Sequence, residues 1–186
     1  KDFDLSKHPS NYLMRAVTYL CMGRYSTGQK ELTTFINSIG KNQLLQEKAI
    51  VYASKYYAAI GLIMLDKSII DKAVEVSNRY ENNSNVKNCE HHFIQIKAMK
   101  YFVYGDMKLA YEAAQTAIEV SKELGYQDFY TPFESLFIKA SCEEEFLDHE
   151  LASRTWREMA EEAESANLPG WVLIARLREV RARSFY

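Results

Sequence analysis

Apolar and small residues recur along this chain at helical spacing, and the same columns return about every 41 residues. Five segments superimpose: Arg15–Leu20, Tyr57–Leu62, Lys97–Phe102, Lys139–Glu144 and Arg181–Tyr186. Each carries an alanine at its second place, at 16, 58, 98, 140 and 182, so the spacings are 42, 40, 42 and 42. Seven residues past the first four alanines stands a turn pair, Gly23-Arg24, Leu65-Asp66, Gly105-Asp106 and Leu147-Asp148. Beyond each turn, apolar or small residues follow at a 4-then-3 spacing: Gly28, Leu32, Phe35; Ile70, Val74, Ser77; Ala110, Ala114, Ala117; Ala152, Trp156, Met159. That spacing puts all three on one helix face.

The pattern predicts helix–turn–helix four times, with half of a fifth unit. First helices are expected over Asn11–Met22, Gln43–Leu65, Val86–Tyr104, Pro132–Phe146 and Trp171–Phe185. Second helices are expected over Thr27–Ile39, Ser68–Tyr80, Met107–Leu124 and His149–Asn167. Gly40 and Gly125 are placed to stop helices, Thr131-Pro132 to start one, and Leu168-Pro169-Gly170 to separate two. Glu81–Asn85 is the one clearly polar linker. The expected fold is all-α, one domain over 1–186 with units near 10–40, 43–80, 86–125, 131–167 and 171–186. Each hairpin has an apolar face that it buries only against its neighbour. The last unit lacks a second helix, so Trp171, Leu173, Ile174, Leu177, Val180 and Phe185 should leave an apolar face open to a parent chain or to self-association.

Composition narrows the classes. Of 186 residues, 47% are hydrophobic and 26% charged, which excludes a disordered tail, and seven Gly with three Pro supply too few turns for a sandwich or barrel. A net charge of −2 gives no nucleic-acid footprint. No apolar run is long enough to span a bilayer. Cys21, Cys89 and Cys142 are odd in number and widely spaced, which favours a reducing, cytosolic setting. Asn82-Asn83-Ser84 fits the glycosylation pattern, with nothing else pointing to secretion. The missing initiator Met suggests a piece of a longer chain.

The first unit (Tyr12, Ala16, Tyr19, Gly23, Tyr25, Gly28, Leu32, Phe35) resembles a tetratricopeptide repeat, and the third (Ile94, Ala98, Tyr101, Gly105, Ala110, Ala114, Ala117) is similar. The second and fourth depart from it. Gly61 and Glu143 stand where the motif has a large side chain, Leu65 and Leu147 replace the turn glycine, and the period exceeds 34. Ser121–Gly125 and Trp171–Arg178 resemble the helical arrays of large ATP-binding LuxR-type transcriptional regulators. The resemblance implies a right-handed superhelix of about four and a half repeats. It also implies ligand sensing or protein contact here, with nucleotide hydrolysis and DNA binding elsewhere in such proteins.

Catalytic signatures are absent. Ile39-Gly40-Lys41 lacks the first glycine of a phosphate loop, and no nucleophile elbow, His-Glu-x-x-His or Cys-x-x-Cys occurs. Cys89-Glu90-His91-His92 places two ligands three apart, but a structural zinc wants four; otherwise it is a first helical turn with two solvent-facing histidines. Glu143-Glu144-Glu145 point different ways on a helix and are expected to form a solvated face. No cofactor and no metal are expected, and an enzyme would need a deep pocket with perturbed carboxylates.

Charge suggests contacts instead. Residues 1–100 hold 14 basic and 9 acidic groups, and residues 101–186 hold 9 and 16. Opposite ends of this kind suit head-to-tail stacking or a partner of matching sign, while the alternative is ordinary surface charge. The residue before each ladder alanine is Arg15, Tyr57, Lys97, Lys139 or Arg181. The candidate groove combines Arg15, Lys97 and Lys139 with Tyr12, Tyr56, Tyr57 and Phe102, to hold a peptide, an acidic segment or a small regulatory ligand. The competing role is structural, each cation pairing with an acid on the adjacent helix. The expected function is therefore a non-catalytic ligand-sensing or protein-interaction domain of a larger regulatory protein. The alternative is a stand-alone adaptor or scaffold binding a partner's peptide. Neither needs a membrane or direct nucleic-acid contact.

Overall fold

A computed structural model of the chain describes residues 9–38, 43–83, 86, 89–123 and 131–186, and among them every regular element is a helix. In chain order these are α1 (Pro9–Cys21), α2 (Tyr25–Ser38), α3 (Gln43–Met64), α4 (Lys67–Asn78), α5 (Glu90–Tyr104), α6 (Met107–Glu123), α7 (Thr131–Glu145), α8 (His149–Ser165) and α9 (Pro169–Arg183). All nine coincide with the helices expected from the repeat pattern, most within two residues at each end. The largest difference is α5, which begins at Glu90 and not at Val86. The Val86 N–H donates to the Asn83 carbonyl (3.1 Å), so a turn precedes this helix. Gly40, Ser84 and Gly125 lie outside the described residues.

Two compact bodies divide the chain, Lys1–Cys89 and Glu90–Tyr186. In the N-terminal body α1 packs on α2, α2 on α3 and α3 on α4. Ala16, Leu32, Phe35, Ala58, Ile60 and Ile70 are buried there. Gly61 occupies the place of a large side chain because Ile70 comes so near: a Cβ at Gly61 would sit 2.8 Å from Ile70 Cγ1. In the C-terminal body α5 to α9 pack in sequence, and α7 also touches both α5 and α9. Its core gathers Phe133, Leu136, Trp156, Met159 and the small Ala140, Ala152, Ala160 and Ala163. All five ladder alanines are buried, Ala182 at 1% exposure and the other four at 0%. A methyl group at these sites lets neighbouring helices approach closely.

The turns repeat as well. Gly23, Leu65, Gly105 and Leu147 all have positive φ (70°, 51°, 85° and 61°). After each, the next N–H reaches back five residues to a carbonyl: Arg24 to Tyr19, Asp66 to Gly61, Asp106 to Tyr101 and Asp148 to Glu143, at 2.8–3.0 Å. This is the Schellman closure of a helix end, and glycine suits its left-handed position. A leucine there costs about 1 kcal/mol, but Leu65 and Leu147 are exposed, so the motif's missing glycine changes sequence and not geometry. The residue that closes one helix then starts the next. Asp66 accepts from the Ser68 and Ile69 N–H groups, Asp106 from Leu109 and Asp148 from Leu151. Hydrogen bonds from Ser68 and Ile69 hold the Asp66 carboxyl below its ordinary pKa.

Candidate functional site

The groove residues fall in both bodies. In the N-terminal body Arg15 lies over the Tyr12 ring, 4.7 Å from its centroid. Its guanidinium also donates to Glu31 on α2 through Nε (3.1 Å) and Nη2 (2.9 Å). Tyr57 is buried, and its hydroxyl accepts from Gln29 Nε2 on α2 (3.1 Å). The Tyr56 ring carries Lys55 Nζ at 4.7 Å, and Lys55 is fully buried, a cation that sequence reasoning passed over. In the C-terminal body Phe102 packs edge-on against Phe137 (6.2 Å) and Lys97 is half-buried. Lys139 pairs with Glu143 on its own helix and donates to Thr155 Oγ1 on α8 (2.9 Å). Arg15–Glu31 and Lys139–Thr155 thus span the same 16-residue step, from the first helix of a hairpin to the second.

Two expectations about charged or polar groups change. His91 and His92 are not solvent-facing: both are buried, with ring centroids 3.8 Å apart. No group of three or more metal-ligating side chains forms among the described residues. Glu143 is not on a solvated face either, being 1% exposed and held by Lys139. Glu144 accepts from Trp156 Nε1 (2.7 Å) and Arg178 (3.2 Å).

The acidic and basic runs of the C-terminal half meet each other. Arg176 reaches Glu164 (3.1 Å), and the buried Glu179 receives Arg157 (2.8 Å), Arg176 (3.1 Å) and Arg183. Burial would lift the Glu179 carboxyl, but hydrogen bonds from Arg157 and Arg176 and the charge of Arg183 outweigh it and hold the pKa below its ordinary value. Burial, with Glu143 and Glu145 adding, pushes the Cys142 thiol up to about 12 and makes it a poor nucleophile at neutral pH.

A cleft of about 180 Å³ opens in the N-terminal body where α2, α3 and α4 meet. Ala73 and Val76 give it an apolar side. Tyr57 and Ser54 enter from α3, Thr33 and Asn37 from α2, Lys72 and Glu75 from α4, and Arg79 from the residue that caps its C-terminus. Glu75 is ion-paired to Arg79. Of the seven groove residues, only Tyr57 lines this cleft.

Small side chains leave the space. A shift of 82 residues carries Ala16 onto Ala98 and Ala58 onto Ala140, and it carries Ser54, Ala73 and Val76 onto Leu136, Thr155 and Glu158. In the C-terminal body Leu136 is core, Thr155 is buried against Lys139, and Glu158 bridges to Lys122 across α6 and α8 (3.3 Å). The sequence signal was therefore present as a loss of volume at Ser54 and Ala73 and of length and charge at Val76. It was missed because the columns were compared for similarity and not for size.

On α9, Leu173, Ile174, Leu177 and Val180 are exposed, whereas Ala175 and Ala182 are buried and Trp171, expected on the same open face, instead stacks on Phe133 in the core (6.3 Å). Among the described residues no helix is long and apolar enough to cross a membrane. In comparison with known proteins, the chain matches no family model, no curated protein and no solved structure. The repeat reading rests on this chain's own residues.

Proposed function

We propose that this chain is a non-catalytic ligand-sensing domain of a larger regulatory protein, built as tetratricopeptide-like hairpins that continue into a right-handed superhelix. The buried alanine ladder and the matched left-handed turns support the repeat architecture. The cleft between α2, α3 and α4 carries the functional half: it is apolar on one side, polar on the others, and built on helices. Its one carboxylate, Glu75, is engaged by Arg79, so the cleft has the makings of a binding site more than of an acid/base pair.

A screen of metabolites and short peptides against the 15N-labelled chain tests this. Hits are expected to move the amide signals of Tyr57, Lys72 and Val76 and to leave the chain without turnover. Hits that consistently move other residues would overturn the choice of site.

A self-association reading, separate from the adaptor alternative, draws on the exposed stripe of α9. In an antiparallel pair of two copies, Leu173 of one helix faces Val180 of the other about Leu177, so the stripe is self-complementary. Light scattering at high concentration should then show a dimer that Leu177→Glu abolishes. A single-chain mass for the unmodified protein would remove this reading.

A further inference from the structure

The cleft's chemistry goes beyond the statement that it binds. Resting on the ligand-sensing reading, we infer that the cleft takes a compact organic monocarboxylate, with Lys72 as its counter-ion and the Tyr57 hydroxyl as a second donor. Size comes first. An apolar cavity of about 150 Å³ holds benzene, so this cleft of about 180 Å³ has room for one ring or a short branched chain with a small head group.

Polarity comes next. Thr33 and Ser54 spend their hydroxyl protons on the carbonyls of Gln29 and Ile50. The Tyr57 oxygen accepts from Gln29, which leaves its own proton to give. Lys72 makes no ion pair among the described residues, although its charge also helps to hold the Asp66 carboxyl low, and Arg79 keeps further N–H donors beyond the one on Glu75. Lys72 and the Tyr57 hydroxyl therefore call for acceptors on the ligand, while Asn37 and the oxygens of Thr33 and Ser54 can still accept from it. Two cations and one carboxylate line the cleft, with Asp66 also within reach of Lys72, so the site offers at most a single positive charge, which a carboxylate matches and a phosphate dianion exceeds while facing Glu75. Ala73 and Val76 receive the apolar part.

Benzoate, phenyl phosphate and benzyl alcohol are the probes, titrated into the 15N-labelled full chain to about 10 mM, since contacts of this number give affinities near the millimolar range. Benzoate should shift Tyr57, Lys72 and Val76 and bind at least tenfold more tightly than benzyl alcohol. Lys72→Met keeps the stem of this exposed side chain and removes its charge, and it should erase that preference, while Lys72→Arg should retain it. Tyr57→Phe should weaken benzoate several-fold. Equal binding of benzoate and benzyl alcohol, or tighter binding of phenyl phosphate, would overturn the carboxylate assignment. Failure of benzoate while other compounds still move the cleft signals defeats this inference and leaves the sensing reading standing. A cleft that no compound reaches defeats both.

Discussion

Lys139→Ala should lower the melting temperature by about 10 °C or more. Lys139 is 17% exposed and its partner Glu143 is 1% exposed, so truncating the lysine strands a carboxylate in the interior. Removing one partner of a buried pair costs about 3–5 kcal/mol, because the surviving charge has lost its solvent and its counter-ion. The second Glu143 oxygen has no hydrogen bond among the described residues, so nothing nearby takes over. Thr155 also loses its contact with the ammonium group. Adding Glu143→Gln to Lys139→Ala should restore a large part of the loss, since the burial penalty falls with the charge. Calorimetry of the single and double variants decides the role of this cation. An unchanged melting temperature for Lys139→Ala would show that Glu143 does not depend on it, and would return Lys139 to the candidate groove.

Trp156→Ala should be equally damaging, for a different reason. The indole is fully buried, stands edge-on to Phe137 at 5.6 Å and packs among Phe133, Leu136, Met159 and Ala140. Deleting it costs about 3–5 kcal/mol in lost transfer energy and residual cavity. It also removes the Nε1 donor from Glu144, although Arg178 still reaches that carboxylate. Trp156→Phe keeps much of the volume and loses the hydrogen bond, so it should fall between the wild type and Trp156→Ala in urea unfolding. If Trp156→Ala unfolds at the wild-type midpoint, the ring is not the centre of this core.

Both effects follow from positions that the sequence marked only in part. Trp156 was legible as the middle of a 4-then-3 triplet, where helical period alone puts a side chain on the buried face. Lys139 was legible as a member of a mostly basic column, but whether that column faced a ligand or a neighbouring helix was open. The answer for Arg15 and Lys139 depends on residues 16 places later, Glu31 and Thr155. Turns were legible from Leu65-Asp66 and Leu147-Asp148 despite the missing glycine. Repetition of the column carried that signal, and backbone geometry then confirmed it.

The sequence by itself determined the helices, their order, the turns between them and the small residues at close approaches. Those features follow from periodicity and local hydrogen bonding, which act within a few residues along the chain. Tertiary structure decided which polar groups lost their water. His91, His92 and Glu143 sit on helices whose amphipathic signal is weak, and only the folded packing shows that they lie inside. The cleft was decided in the same way. It lies where the small Ser54 and Ala73, on two different helices, leave space between them and α2. Volume is a property of side chains that meet, and residues about 20 positions apart meet only once the chain has folded.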